Sequence, residues 1–269
     1  MSTIKSSAEN LTLNADGANN DVIIQSNGST KVTVDGQNSR VGIGTTAPAH
    51  NVEIVATASG SVNDTLQIRN NATASGTGSR IRFINSTDAN SDTNGASIAS
   101  IRTGDNNDLT FETENVEAMR IDATGAVTMP SQPAFLARPS STQSNIAVGT
   151  LTTVVLGTEV FDNNADFSSN TFTAPVTGKY QLNLNLRTQS TPNMSYMWVR
   201  INTSNRTYTQ ICSMNRFASY DLDYWGYNLA VLADMDASDT ADIKVYIGGG
   251  AAQIDIENSS TDFSGYLVC

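Results

Sequence analysis

The chain has 269 residues, 26 acidic against 15 basic, a formal net charge of −11 and a pI near 4.4. Such a field repels phosphate backbones, and no run of Lys and Arg offsets it locally, so no nucleic-acid partner is expected. Only 15% of the residues are charged and 39% are hydrophobic; the balance is rich in Ser, Thr, Asn and Gly, which disfavours helix and suits strands and turns, so the expected class is all-β.

The N-terminus, MSTIKSSAENLTL, has no apolar core and no cleavage pattern. Nowhere does the chain approach the roughly 18 apolar residues of a membrane helix. The expectation is a soluble protein without membrane insertion or a secretion signal. The sequons at Asn63, Asn71 and Asn205 then read as composition, not as glycosylation sites.

The first half repeats itself. DVIIQSNGSTKVTVDG from Asp21 aligns without a gap on DLTFETENVEAMRIDA from Asp108, 87 residues later. Val22, Ile24, Val32 and Val34 fall on Leu109, Phe111, Met119 and Ile121. Each copy, about 21–48 and 108–130, reads as strand, turn, strand, turn, strand. Three short strands bury too little surface to stand alone, so each unit needs a neighbour, which identical chains wrapped together would supply. Between the copies, Leu66 with Ile68, Ile81 with Phe83, and Ile98 with Ile101 suggest three or four strands joined by long polar loops.

In the first copy RVGIGTTAP (40–48) contains G-x-G-x-x-A, the outline of a dinucleotide loop. Such a loop must lead into a helix whose N-terminus faces the phosphates. Here Pro48 is followed by AHNVEIVATAS, with β-branched residues in alternation and no P-loop lysine. The stretch reads as a tight structural turn, and no organic cofactor is expected. MPSQPAF (129–135) reads as a stiff, extended connector. It marks the boundary between a β-rich region, 1–131, and a second domain, 132–269.

The second domain alternates cleanly. In YQLNLNLR, Leu182, Leu184 and Leu186 share one face while Gln181, Asn183 and Asn185 share the other. YMWVRI, DIKVYIGG and QIDIEN follow the same rule, at the strand spacing of a β-sandwich. This half is long enough to hold its own core.

FTAPVTGKYQLNLNL (172–186) resembles the signature of the complement component 1q-like globular head. VFDNNADFSSNTF, YNLAVLADMDASDTADIKVYI and the terminal FSGYLV follow in the family's order, so that the likeness covers about Phe135 to Cys269. Two features depart from the pattern: Ser238-Asp239 replaces the usual Gly-Asp, and SYDLDYWGYN is richer in aromatic and acidic residues. The resemblance implies a ten-stranded jelly roll, shared with the tumour necrosis factor superfamily, and a homotrimer at the end of an elongated stalk that binds other molecules rather than catalysing. VGIGTTAP and MRIDATGAV (119–127) in turn resemble stalk repeats of bacteriophage tail fibres.

Constellations for chemistry are few. His50, the only histidine, lies in the thin N-terminal half and reads as an exposed turn residue, which argues against a histidine base for Ser or Cys nucleophiles and against a histidine-built metal site, so no enzyme is expected. Asp234, Asp236, Asp239 and Asp242 crowd one segment. They fail the EF-hand pattern and read as a charged turn, with structural calcium held by several loops left open. Cys212 and Cys269 are too few for a disulfide scaffold and read as buried thiols. Tyr220, Asp221, Asp223, Tyr224, Trp225 and Tyr227 form the candidate ligand-binding surface, the alternative being a packed strand or trimer contact. Met194, Tyr196 and Trp198 read as core.

The expected whole is a trimeric β-rich stalk followed by a jelly-roll sandwich head. It would be a structural fibre of a phage virion, assembled in the host cytoplasm. Its N-terminal region would join other virion proteins, and its head would bind a host-surface glycan or protein. A head fibre or capsid decoration is the alternative; a polysaccharide depolymerase and a cellular adhesin are less favoured.

Overall fold

The computed structural model describes residues 20–57, 60, 65–84, 95–189, 194–214, 223–250 and 253–269. No helix occurs among them, hence none long and apolar enough to cross a membrane. The chain divides into two compact units, Met1–Ala72 and Thr73–Cys269.

The first unit holds β1 (Val22–Ser26), β2 (Ser29–Asp35), β3 (Arg40–Ile43) and β4 (Val52–Ile54), in that spatial order. The first three pair as antiparallel hairpins, but β4 lies parallel to β3. Parallel neighbours usually need a crossover of a dozen or more residues. Residues 44–51 manage it in fewer, because the RVGIGTTAP stretch folds back on its own strand. A Cβ on Gly42 would stand 2.7 Å from the Thr45 carbonyl oxygen. Gly44 sits at φ +76°, and a Cβ there would collide with the Val55 carbonyl. Arg40 ties the loop down by donating from Nη1 to the Pro48 carbonyl at 2.8 Å.

The register puts Ile24, Val32, Val34, Val41, Ile43 and Val52 on a single face. That face is left bare: Val52 is 64% exposed, and Ile24, Val34 and Ile43 are also exposed. The opposite face carries Thr33, which is fully buried.

In the second unit β5 (Gly78–Phe83), β6 (Ala96–Thr103), β7 (Asn106–Thr113), β8 (Val116–Ile121) and β9 (Val127–Thr128) form an antiparallel sheet in chain order. Ile81, Ile98, Phe111 and Met119 run straight across one face, with Leu109, Ile121 and Val127 in the next row. Here too the apolar face is the open one, Phe83 being 58% exposed. The polar face is closed by its own ion pairs. Arg80 meets Glu112 at 2.8 Å, Ser97 donates to Glu112 at 2.9 Å, and Arg120 bridges Asp108 and Glu117. Thr110 and Asp108 are buried beneath them. Residues 65–70, expected to be a strand, join no ladder, and Leu66 is exposed.

The hairpins β1–β2 and β7–β8 share one register. Val22 faces Val34 and Ile24 faces Val32, as Leu109 faces Ile121 and Phe111 faces Met119. A bulge follows Ile24 in one and Phe111 in the other. Both turns have two successive residues at positive φ, Asn27-Gly28 (52°, 73°) and Glu114-Asn115 (51°, 59°). This is the mirror-image turn whose twist suits a two-residue hairpin. The Asp21 carboxylate accepts the Gly36 N–H, and the Asp108 carboxylate accepts that of Ala123.

The segment 129–133 is not extended; Gln132 N–H closes a turn on the Met129 carbonyl at 3.1 Å. The rest is a two-sheet sandwich. Its first sheet runs β19 (Tyr224–Met235), β16 (Gly178–Gln189), β22 (Asp262–Leu267), β10 (Ala134–Arg138), β13 (Thr158–Asp162). The short β21 (Ile254–Ile256) also lies against β16, with β11 (Gln143–Ile146) beyond it. The second sheet runs β14 (Phe167–Ser168), β15 (Thr171–Thr173), β20 (Thr240–Gly248), β17 (Tyr196–Thr203), β18 (Thr207–Ser213). β12 (Leu151–Thr153) also pairs with β20. From β10 to β22 the chain passes back and forth between the sheets, which is the jelly-roll arrangement.

Its core explains the motif residues. Leu182, Leu184 and Leu186 point inward beside Tyr180, while Gln181, Asn183 and Asn185 point out. Phe135 stacks on Phe172 at 4.6 Å and Phe167 at 5.1 Å, and meets Phe263 edge-on at 5.1 Å. Gly265 stands opposite both Phe135 and Leu182 in the ladder; a Cβ there would press on both, so the missing side chain makes room for the phenyl cluster. The Tyr180 hydroxyl donates to the Val176 carbonyl at 2.7 Å and so fixes the turn that opens β16.

Candidate functional site

Strand alternation splits the predicted ligand surface. On β19, Tyr224 pairs with Gln189 and Gly226 with Arg187 facing outward, while Trp225 pairs with Thr188 and Tyr227 with Leu186 facing inward. Tyr227 is 1% exposed and belongs to the core, and Trp225 is half-buried against it. Neither can serve as an open ligand surface, because consecutive strand residues point to opposite sides. Asp223 and Tyr224 are exposed, and the Arg187 guanidinium lies 4.1 Å from the Tyr224 ring centre. Tyr220 and Asp221 lie outside the described residues. What is assembled here is one aromatic ring and one cation at the end of β16–β19.

Three of the four crowded aspartates are held by protein groups, and the Asp236 carboxylate meets only Thr177 Oγ1, at 3.5 Å. Asp234 pairs with Arg206 at 2.9 Å, which holds its carboxyl below the usual range together with a backbone hydrogen bond, the larger cause. Asp239 accepts from Asn205 and from the Asp236 N–H, both at 2.8 Å. Asp242 accepts from Asn202 at 3.1 Å and lies 3.4 Å from Lys244 Nζ. Among the described residues no three His, Cys, Asp or Glu side chains are grouped to hold a metal ion.

His50 is exposed in the loop before β4. Both cysteines are free thiols: Cys212 is half-buried, 3.5 Å from Met214 Sδ, with its thiol pushed up by burial, whereas Cys269 is exposed rather than buried as expected.

Alternation in the sequence suggests that Tyr196 and Trp198 join Met194 in the core. Only Met194 is buried there. It precedes β17 and is out of phase with it; the inward residues of that strand are Met197, Val199 and Ile201. Tyr196 and Trp198 instead lie on the outer face of the second sheet beside Tyr246, with Trp198 and Tyr246 ring centres 4.9 Å apart. The signal was present: in YMWVRI the unbroken aliphatic series is Met, Val, Ile, which leaves the aromatics and Arg200 for the other side.

No family model matches the chain, and no curated protein matches it. Solved structures do. The globular domain of zebrafish complement 1qA protein is 16% identical over 52% of this chain and 98% of its own, with a TM-score of 0.37. Murine APRIL at pH 8.0 is 15% identical over 51% and 100%, with a TM-score of 0.38, and at pH 5.0 it is 14% identical with a TM-score of 0.37.

Proposed function

We propose that the chain is a structural fibre protein of a bacteriophage virion. It assembles as a homotrimer whose sandwich, 132–269, is the head that meets the host surface, and whose N-terminal region joins other virion proteins. The observation that carries this reading is the bare apolar face of each thin sheet. The β5–β9 sheet closes its polar face with ion pairs and leaves its apolar face open, and β1–β4 also leaves an apolar face open. Exposed apolar surface of that extent is ordinarily an interface. The two sheets share one hairpin geometry, so one neighbour chemistry, another copy of the chain, suits both.

The head offers a comparable face. On the outer side of its first sheet Phe161, Leu232 and Tyr266 are exposed among the neutral amides Gln181 and Asn183. A neutral, partly apolar face suits packing between like-charged copies. The phage assignment is supported by VGIGTTAP and MRIDATGAV, and no catalytic step is proposed.

Sedimentation equilibrium at micromolar concentration should give three times the 28.6 kDa chain mass; a monomer overturns the trimer. Antibody labelling of intact particles should decorate the tail. Label on the capsid would replace the tail fibre with a head fibre or decoration protein, and unlabelled particles would end the virion reading.

A further inference from the structure

The outer face of the second sheet carries a pattern that neither the fold nor self-assembly calls for. Register lines up Leu151, Tyr246, Trp198 and Ile211 in one row across β12, β20, β17 and β18. The adjacent row is Thr153, Lys244, Arg200 and Thr209. Beside Trp198 along β17, Tyr196 stands opposite Gly248, and a Cβ on Gly248 would fall inside the Tyr196 ring. The ring therefore lies on bare backbone, with its second face turned away from the sheet. The three half-buried aromatic rings, centres 4.9 to 6.2 Å apart and tilted by about 30° to one another, partly overlap and form one cluster on this face.

The charges beside it are out of balance. Arg200 and Lys244 stand directly opposite each other, an arrangement in which like charges repel. The nearby carboxylate, Asp242, is already shared by Lys244 and Asn202. Arg200 stacks on Trp198, its guanidinium carbon 4.4 Å from the ring centre. Stacking occupies the plane of a guanidinium and leaves its N–H edge free for a carboxylate. Its Nε is buried without a hydrogen-bond partner, and among the described residues it meets no carboxylate. In a chain of net charge −11, two cations against one acid beside three aromatic rings is an unspent local attraction for an anion.

We infer that this face binds an acidic glycan. The C–H face of a hexopyranose lies against the outward side of the Tyr196–Trp198–Tyr246 cluster, and a ring carboxylate of the uronate type takes the edge of Arg200 beside Lys244. Flat apolar rings next to amide and hydroxyl groups, here Asn202 and Thr209, match a sugar's alternation of C–H faces and hydroxyls. An acidic peptide would use the cations but has no need of the aromatic cluster. The inference rests on the reading of the sandwich as the host-contacting head and names the ligand class and the place.

The test uses the full chain with tetragalacturonate, maltotetraose and poly-L-glutamate, followed by calorimetry and tryptophan emission. Tetragalacturonate should bind and shift the emission, and maltotetraose should bind at least tenfold more weakly. Trp198→Ala should abolish binding and Arg200→Gln should weaken it at least tenfold, while Trp225→Phe keeps both affinity and emission change. Failure of tetragalacturonate to bind overturns the proposal. So does equal binding of poly-L-glutamate, which would mark a site for acidic peptides, or undiminished affinity in Arg200→Gln, which decides the matter alone should Trp198→Ala not fold. A trimeric virion protein that ignores tetragalacturonate loses only this site; a monomer that binds it loses only the fibre.

Discussion

Tyr227 carries its hydroxyl into the sandwich, where among the described residues it has no hydrogen-bond partner. A buried unsatisfied donor typically costs about 1–3 kcal/mol. Tyr227→Phe removes the hydroxyl and keeps the ring, so thermal unfolding at pH 7 should rise by a few degrees, corresponding to about 1 kcal/mol. Burial, with the neighbouring Cys212 a smaller cause, pushes the Tyr227 hydroxyl well above its ordinary value. An unfolded tyrosine ionises near pH 10 while the folded one does not, so the stability present below about pH 10 falls as the pH climbs past it. The phenylalanine variant should lose less stability than the parent between pH 10 and 12, measured by denaturant titration. At Gly44 both the positive φ and the Val55 carbonyl exclude a side chain. Gly44→Ala should lower stability by about 2 kcal/mol or more, read as a lower denaturant midpoint. These residues also show how far single letters carry meaning. The two glycines were recognisable as a turn because no helix follows them. For Tyr224 to Tyr227, clustering in sequence suggests one surface, and alternation in the strand divides it, with Tyr227 following the packed-strand alternative.

Hairpins β1–β2 and β7–β8 reproduce one design with different letters. Where the first uses Asn27-Gly28 at positive φ, the second uses Glu114-Asn115. Glutamate has no special tolerance for that region, while asparagine does. Glu114→Asn should therefore stabilise the β7–β8 hairpin by about 0.5 kcal/mol, visible as slower amide exchange in that hairpin. The carboxylates that tie these turns titrate low. Asp108 is held down by hydrogen bonds from Arg120 and Thr103, Asp122 by Thr124 and the Ala126 amide, and Asp35 by Asn38. A depressed acid contributes stability above its unfolded value and loses it as pH falls through the folded one. The melting temperature should accordingly be flat from pH 5 to 7 and fall below about pH 4, with Asp108→Asn lower throughout and less steep. Antiparallel elements of this kind were legible, since alternation and turn letters fix both strands of a hairpin. The parallel β3–β4 pairing was not, because contact between strands that share no tight turn leaves no local pattern. Leu66 and Ile68 show the converse: alternation without a partner strand makes no ladder.

At the scale of the molecule, the jelly roll was legible from its motif order, and the bare sheets were legible as thin. Which face would be dressed was not, because alternation says that two faces differ, not which one the chain itself covers. If copies pack through the apolar face of β5–β9, Phe83→Lys should reduce the sedimentation mass toward one chain while the near-ultraviolet circular dichroism of the sandwich persists. Because three of the four crowded aspartates are already held by protein groups, excess EDTA should leave the melting temperature unchanged.

The paired hairpins bear on how such a gene can change. In each copy the turn, the bulge and the carboxylate that fastens the following turn lie within one short run, residues 21–36 and 108–123. A recombination event that copies that run delivers a hairpin with its turn, bulge and fastening carboxylate together, and leaves only its bare apolar face to be covered by a neighbour.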